Sequence, residues 1–149
     1  MAATIRHAVE SDLPALRPLL EQLGYPLDAA TLLARFRAFA DARGVTLLAL
    51  TGDRVVGLAS AIARPDLLTP TLAELQGLVV APELRGGGIG AKLLAAVEAW
   101  ARDAGLAGIT VGTRVERERA HKFYEANGYV LAKQWRVYRK QFGHTGAEA

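Results

Sequence analysis

The run Leu78-Val-Val-Ala-Pro-Glu-Leu-Arg-Gly-Gly-Gly-Ile-Gly-Ala-Lys-Leu-Leu constrains the fold of this chain more than any other stretch. An apolar strand pattern ends at Val80, Pro82 turns the chain, and four glycines lead into a helical pattern that begins at Ile89. Glycines at such a place leave backbone N–H groups uncovered, and the helix start adds about half a positive charge. Arg85 adds a full charge at the mouth. The result is a cradle for an anion, set between a sheet and a helix that packs on it. The P-loop requires Gly-Lys-Ser/Thr, whereas Lys92 follows Ala91 here. A dinucleotide fingerprint can be laid on Gly86, Gly88 and Ala91, but it opens a parallel βαβ unit, and this loop follows an antiparallel-looking set of strands in mid-chain. The bland alternative is a glycine-rich connection that holds nothing.

The rest of the chain reads as a mixed α/β sheet flanked by helices. Thr4–Val9 alternates like a short strand, and Ser11 is placed to cap a helix with Leu13, Leu16, Leu20 and Leu23 on one face. Asp28 caps a second helix carrying Leu32, Leu33, Phe36 and Phe39 inward, which stops near Gly44. Val45–Leu50 and Val55–Ala63 form a hairpin across Thr51-Gly52-Asp53-Arg54, and Leu72–Val80 is a further strand in which Gly77 marks a bulge or a close backbone approach. A helix from Ile89 to about Ala104, a strand over Ile109–Thr113, a shorter helix with Ala120, Phe123, Tyr124 and Asn127 on one side, and one or two closing strands over Tyr129–Lys140 complete the order β-α-α-β-β-β-α-β-α-β(-β).

Length and composition narrow the function. With 149 residues, 51% hydrophobic and 22% charged, the chain is one domain over 1–142 with a solvated tail over 143–149. The absence of cysteine excludes disulfides, thiolate metal sites and a Cys nucleophile, and fits the cytoplasm. His7, His121 and His144 have no metal-ligand spacing. No apolar run is long enough to cross a membrane, and a net charge of +3 is too balanced for nucleic acid. It suits a small polyanionic ligand.

Two stretches resemble one known family. Val80-Ala-Pro-Glu-Leu-Arg85-Gly-Gly-Gly88-Ile-Gly90 is similar to the acetyl-CoA signature Arg/Gln-x-x-Gly-x-Gly/Ala of the GCN5-related N-acetyltransferases. Arg119-Ala-His-Lys-Phe-Tyr124-Glu-Ala-Asn-Gly128-Tyr129 resembles that family's second motif, Ala-x-x-x-Tyr-x-x-x-Gly-Phe/Tyr. The resemblance implies a splayed central sheet, with the backbone of Leu78, Val79 and Val80 pairing with the pantetheine arm of acetyl-CoA. It implies that the amides of Gly86, Gly87, Gly88, Ile89, Gly90 and Ala91, with Arg85, hold the pyrophosphate. A backbone N–H at Leu78 or Val79 would stabilise the carbonyl oxygen as it gains charge. It implies an acetyl transfer to a small amine, and a homodimer.

An amine attacks a thioester only when neutral, so a proton acceptor is needed. Many relatives carry a carboxylate at the position of Gln76, and glutamine cannot take a proton. That shifts the role to Glu74, which shares a strand face with Gln76, or to a water chain or His121. Tyr124 sits where the family places the acid that protonates the departing thiolate; the alternative is a core tyrosine bonded to a backbone carbonyl. Arg117 replaces a more usual Asn, which puts that contact to the cofactor arm in question. The run Ala73-Glu-Leu-Gln-Gly is similar to the aminoalkylphosphonate N-acetyltransferase subgroup, although that subgroup's His-rich segment is here Ala61-Ile-Ala-Arg-Pro-Asp-Leu-Leu-Thr-Pro. Arg64 is a candidate partner for an anionic substrate. Other acceptors are a peptide or protein N-terminus, or an aminoglycoside, whose positive charges call for an acidic cleft. A non-catalytic acyl-CoA sensor is the reading from a different class.

Overall fold

Runs of apolar residues with period-2 alternation can bury one face only by pairing into a sheet, and here they pair in the order in which they occur. The computed structural model describes residues 2–143, so the tail expected over 143–149 lies, from residue 144 on, outside the described residues. The chain packs as two units, Met1–Arg114 and Val115–Ala149.

The first unit holds one sheet, β1 (Thr4–His7), β2 (Val45–Thr51), β3 (Arg54–Arg64), β4 (Leu72–Val80) and β5 (Ile109–Val111), in the order β1-β2-β3-β4-β5. The first four strands are mutually antiparallel, whereas β5 runs parallel to β4. A parallel neighbour needs a crossover, which α3 (Ile89–Asp103) supplies. Before the sheet's hairpin come α1 (Leu13–Gln22) and α2 (Ala29–Asp41).

The helices take opposite faces of the sheet. Ala49 and Gly57 are register partners, and a Cβ on Gly57 would lie 3.1 Å from Leu93 Cδ1 of α3 and 3.0 Å from the Val79 carbonyl, so this face needs small residues under α3. Leu93, Leu94 and Val97 bury there, and Leu48 and Val56 are equally inaccessible. Each such side chain contributes about 1.5–3 kcal/mol by leaving water.

Two local expectations change. Ser11 is exposed and caps nothing: a 3-10 turn over Glu10–Asp12 moves the helix start to Leu13, and the Asp12 carboxylate accepts from the Val9 N–H at 2.8 Å. The buried positions of α1 are therefore Leu13, Leu16 and Leu19, and Leu23 falls past the helix end. Asp28 does cap α2, accepting from Thr31 N at 2.7 Å.

The second unit holds α4 (Glu118–Ala126), ended by Gly128 in the left-handed region at φ 89°. The closing strands expected over Tyr129–Lys140 do not form; no strand is present there among the described residues. Alternation says only that a segment fits a pleated surface, and ladder bonds need a neighbouring strand to receive them. Past Tyr129, which is half-buried, the large apolar members of the segment stay outside: Val130, Trp135 and Tyr138 are 85%, 70% and 82% exposed.

Candidate functional site

The site begins at a fault in β4. Ser60 of β3 stands opposite Gly77, yet the next residue, Ala61, stands opposite Leu75, so Gln76 has no counterpart and bulges out. On the other side, β5 pairs with Ala73, Glu74 and Leu75 and goes no further. From Gln76 to Val80, β4 therefore has β3 on one side and no strand on the other among the described residues. The bulge read from Gly77 is centred one residue earlier, and the sheet forks there.

The ladder shows which backbone groups face the fork. Ala81 N–H donates to the Val56 carbonyl of β3 at 2.8 Å. N–H direction alternates along an antiparallel strand. Val79 and Gly77 thus donate toward β3, and Leu78 and Val80 present their N–H groups to the open side. In agreement, the Val80 carbonyl accepts from side chains, Gln22 Nε2 and Arg85 Nε, each at 3.4 Å.

Past Val80 a 3-10 turn over Pro82–Leu84 delivers the chain to the glycines. Gly86 and Gly88 sit at φ 83° and 88°, a region L side chains rarely adopt, and a Cβ at either would meet nothing within 4 Å. Their requirement is conformational, and the space before the loop is open. Gly88 is the N-cap of α3 and has no side chain to offer. The first intrahelical bond there is Lys92 N–H to the Gly88 carbonyl at 3.0 Å, so the N–H groups of Ile89, Gly90 and Ala91 precede any helical acceptor. Three uncapped donors and a helix dipole fit a diphosphate. Lys92 Nζ is tied to the Ala3 carbonyl and does not act as a P-loop lysine.

Glu74 and Gln76 share a face of β4, as alternation predicts, and are joined: Gln76 Nε2 donates to Glu74 Oε1 at 3.0 Å. Arg64 Nη1 reaches Glu74 Oε2 at 2.7 Å and is itself held above its ordinary guanidinium value by that bond. Arg64, a candidate for an anionic substrate, is thus engaged with the candidate base. Sequence reasoning did not find this triad, although Glu74 stands opposite Ile62, two residues from Arg64.

Gln76 also belongs to the wall of a cavity of about 230 Å³ between the sheet and the first two helices. Thr46, Ser60 and Gln76 are its polar members, leucines and phenylalanines of α1 and α2 supply most of the rest, and Arg35 is its one charged member. In the sequence this cavity shows only as the row Leu32, Phe36, Phe39 along α2, a pattern that equally fits core packing.

In the second unit, α4 carries Tyr124, His121 and Lys122, with Arg117 as N-cap. The Tyr124 ring meets Phe123 edge-on at 5.2 Å and Tyr129 at 5.7 Å. Burial raises the phenol above its ordinary value, which keeps it protonated at neutral pH. The Tyr124 carbonyl accepts from Tyr129 N–H at 3.0 Å, fastening the helix end. Glu74, Leu78–Val80, Arg85 and Gly86–Ala91 lie together on one strand, loop and helix start of the first unit; Tyr124 belongs to the second. Among the described residues no group of His, Asp or Glu is placed to hold a metal ion, and no helix is long and apolar enough to cross a membrane.

Comparison with known proteins gives one family. The model of the acetyltransferase (GNAT) family matches residues 7–129. An aminoglycoside N(6')-acetyltransferase type 1 of Stenotrophomonas maltophilia is 38% identical over 134 residues, 86% of each chain. An aminoalkylphosphonate N-acetyltransferase of Salmonella typhimurium is 35% identical over 135 residues, 84% of this chain and 83% of that one. Among solved structures, AAC(6')-Iy in complex with a bisubstrate analog of CoA superposes with a TM-score of 0.86 at 25% identity, covering 95% of this chain and 99% of that one.

Proposed function

From the premise that the chain belongs to the acetyltransferase (GNAT) family, and is an acetyl-CoA-dependent N-acetyltransferase, we propose that it acetylates the primary amine of a small molecule by direct attack in a ternary complex. The observation that carries this reading is the fork at Gln76. There a free strand edge runs straight into a row of uncapped helix N–H groups, which is the shape of a pantetheine arm ending in a diphosphate.

Leu78 and Val80 pair with the arm as a further strand would. The amides of Gly86–Ala91 take the diphosphate, and Arg85 adds charge at the mouth. Of the two candidate oxyanion donors, the ladder favours the Leu78 N–H over that of Val79, which is directed toward β3. Glu74 takes the proton of the ammonium form, directly or through water past Gln76. The freed nitrogen pair forms the N–C bond, the C–S bond breaks as Tyr124 gives its proton to the thiolate, and the second proton that the nitrogen sheds on becoming an amide passes through water to restore the phenol. The chain has no cysteine for an acyl-enzyme route.

The catalytic domain spans 1–142 and works in the cytoplasm as a homodimer; the exposed apolar row of 130–142 supports the last point. Relatives named for aminoglycosides and for aminoalkylphosphonates support a small-molecule acceptor. The deciding experiment combines calorimetric titration with acetyl-CoA and thiol release across amines, aminophosphonates, polyamines and peptides. Release of thiol in step with acetylation of a small amine is expected. Acetyl-CoA binding without thiol release from any acceptor overturns the transferase reading in favour of a sensor.

A further inference from the structure

Resting on that reading, we propose that the acceptor is a monoamine with one compact apolar body and an anionic end, and that Arg35 of α2 selects it. The cavity behind Gln76 is walled by Leu13, Leu16 and Leu32, Phe36 and Phe39, and no carboxylate lines it. An acceptor with several ammonium groups would have to leave them unpaired against leucine and phenylalanine, which is costly for any charge taken from water. It would also meet Arg35, a repulsive element against cations. The surrounding helix surfaces do not reverse this sign. α2 carries Arg35 and Arg37 before its terminal Asp41, and Glu10 is already bound by Arg37 at 2.7 and 3.0 Å.

Volume points the same way. An apolar cavity of about 150 Å³ accepts benzene. The cavity here, about 230 Å³ and open to solvent on one side, takes one ring and a short chain within its walls. Position completes the argument. Gln76 is at once a wall of the cavity, the bulged residue of the fork and the hydrogen-bond donor to Glu74, so an amine leaving the apolar floor emerges beside the candidate base. Arg35 is exposed on the helix side of the cavity, where the far end of such a molecule would lie. The relative named for aminoglycosides is therefore a guide to the reaction and not to the acceptor.

The test is thiol release from acetyl-CoA with phenylalanine, phenethylamine, 2-aminoethylphosphonate and kanamycin. We expect phenylalanine to have the highest kcat/KM, at least tenfold above kanamycin. In Arg35→Glu the ratio of kcat/KM for phenylalanine over phenethylamine falls at least tenfold, whereas a merely structural loss would lower both together. Kanamycin as the best acceptor, or an unchanged ratio in Arg35→Glu, overturns the assignment and leaves the transferase reading standing. No thiol release with any amine would sink the transferase reading first, and this inference with it.

Discussion

The role proposed for Tyr124 asks one proton of it, and its surroundings suit that request: burial beside Phe123 and Tyr129 raises the phenol above its ordinary value and keeps it protonated. Tyr124→Phe retains both ring contacts and removes only the hydroxyl. Its kcat should fall about 100-fold or more, with KM for acetyl-CoA unchanged in a steady-state thiol assay; unaltered turnover would remove the residue from the chemistry. Asp12 illustrates a purely structural charge. Hydrogen bonds from Arg6, and from the Val9 N–H, hold its carboxyl at about 2, below the ordinary 3.8. A depressed carboxylate stabilises the fold above its unfolded value and loses that contribution as pH falls through about 2. With Arg6 half exposed, the effect at pH 7 is about 1–2 kcal/mol. Asp12→Asn should lose that amount in urea unfolding at pH 7, and the two proteins should converge near pH 2. The sequence points to Ser11 as the cap at this corner because it precedes an apolar run, but the inserted 3-10 turn moves the helix start to Leu13, and the Asp12 carboxylate binds the Val9 N–H ahead of the turn.

At the scale of elements, the glycine loop tests itself. Gly88 needs a left-handed backbone that costs a side-chain-bearing residue about 1–2 kcal/mol, whereas Gly87 has an ordinary φ and 3.4 Å of room to the Leu84 carbonyl. Gly88→Val should weaken acetyl-CoA binding at least tenfold by calorimetry while far-UV circular dichroism stays native, and Gly87→Ala should bind within about threefold of the parent. Equal affinity in both would remove the pyrophosphate from this loop. β4 was legible to its exact ends, Leu72–Val80, because a long apolar run bounded by turn residues has few other solutions. The fork was legible only as a glycine irregularity. A bulge is a property of two strands in register, and neither strand states it alone.

For the whole molecule, the order of elements through α4 could be read because each is bounded by a local signal: Asp28 before α2, Gly52 in the hairpin, Gly105 after α3, Gly128 after α4. The closing strands could not, since pairing depends on what lies alongside. The stretch from 129 to 142 carries Lys133, Arg136, Arg139 and Lys140 with no carboxylate, whereas 1–128 holds fourteen basic and fourteen acidic residues. Two such stretches repel each other, so the proposed dimer would set them against the neutral body of the partner. Trp135, Tyr138 and Phe142 expose on the order of 150 Å² each. Two copies of the whole row approach the ~1,200 Å² of a specific interface. Light scattering should give twice the chain mass for the parent and a single chain mass for a Trp135→Asp, Val137→Asp double variant with native circular dichroism; a monomeric parent refutes the dimer.

The extra residue in β4 carries a last consequence. Were Gln76 deleted, Ala61 and Ser60 would face successive partners, β4 and β5 would be free to zip on toward Val80, and the cleft between them would shut. Such a shortened protein should melt higher than its parent and do nothing. One surplus amino acid is thus the difference between a tidy sheet and an enzyme.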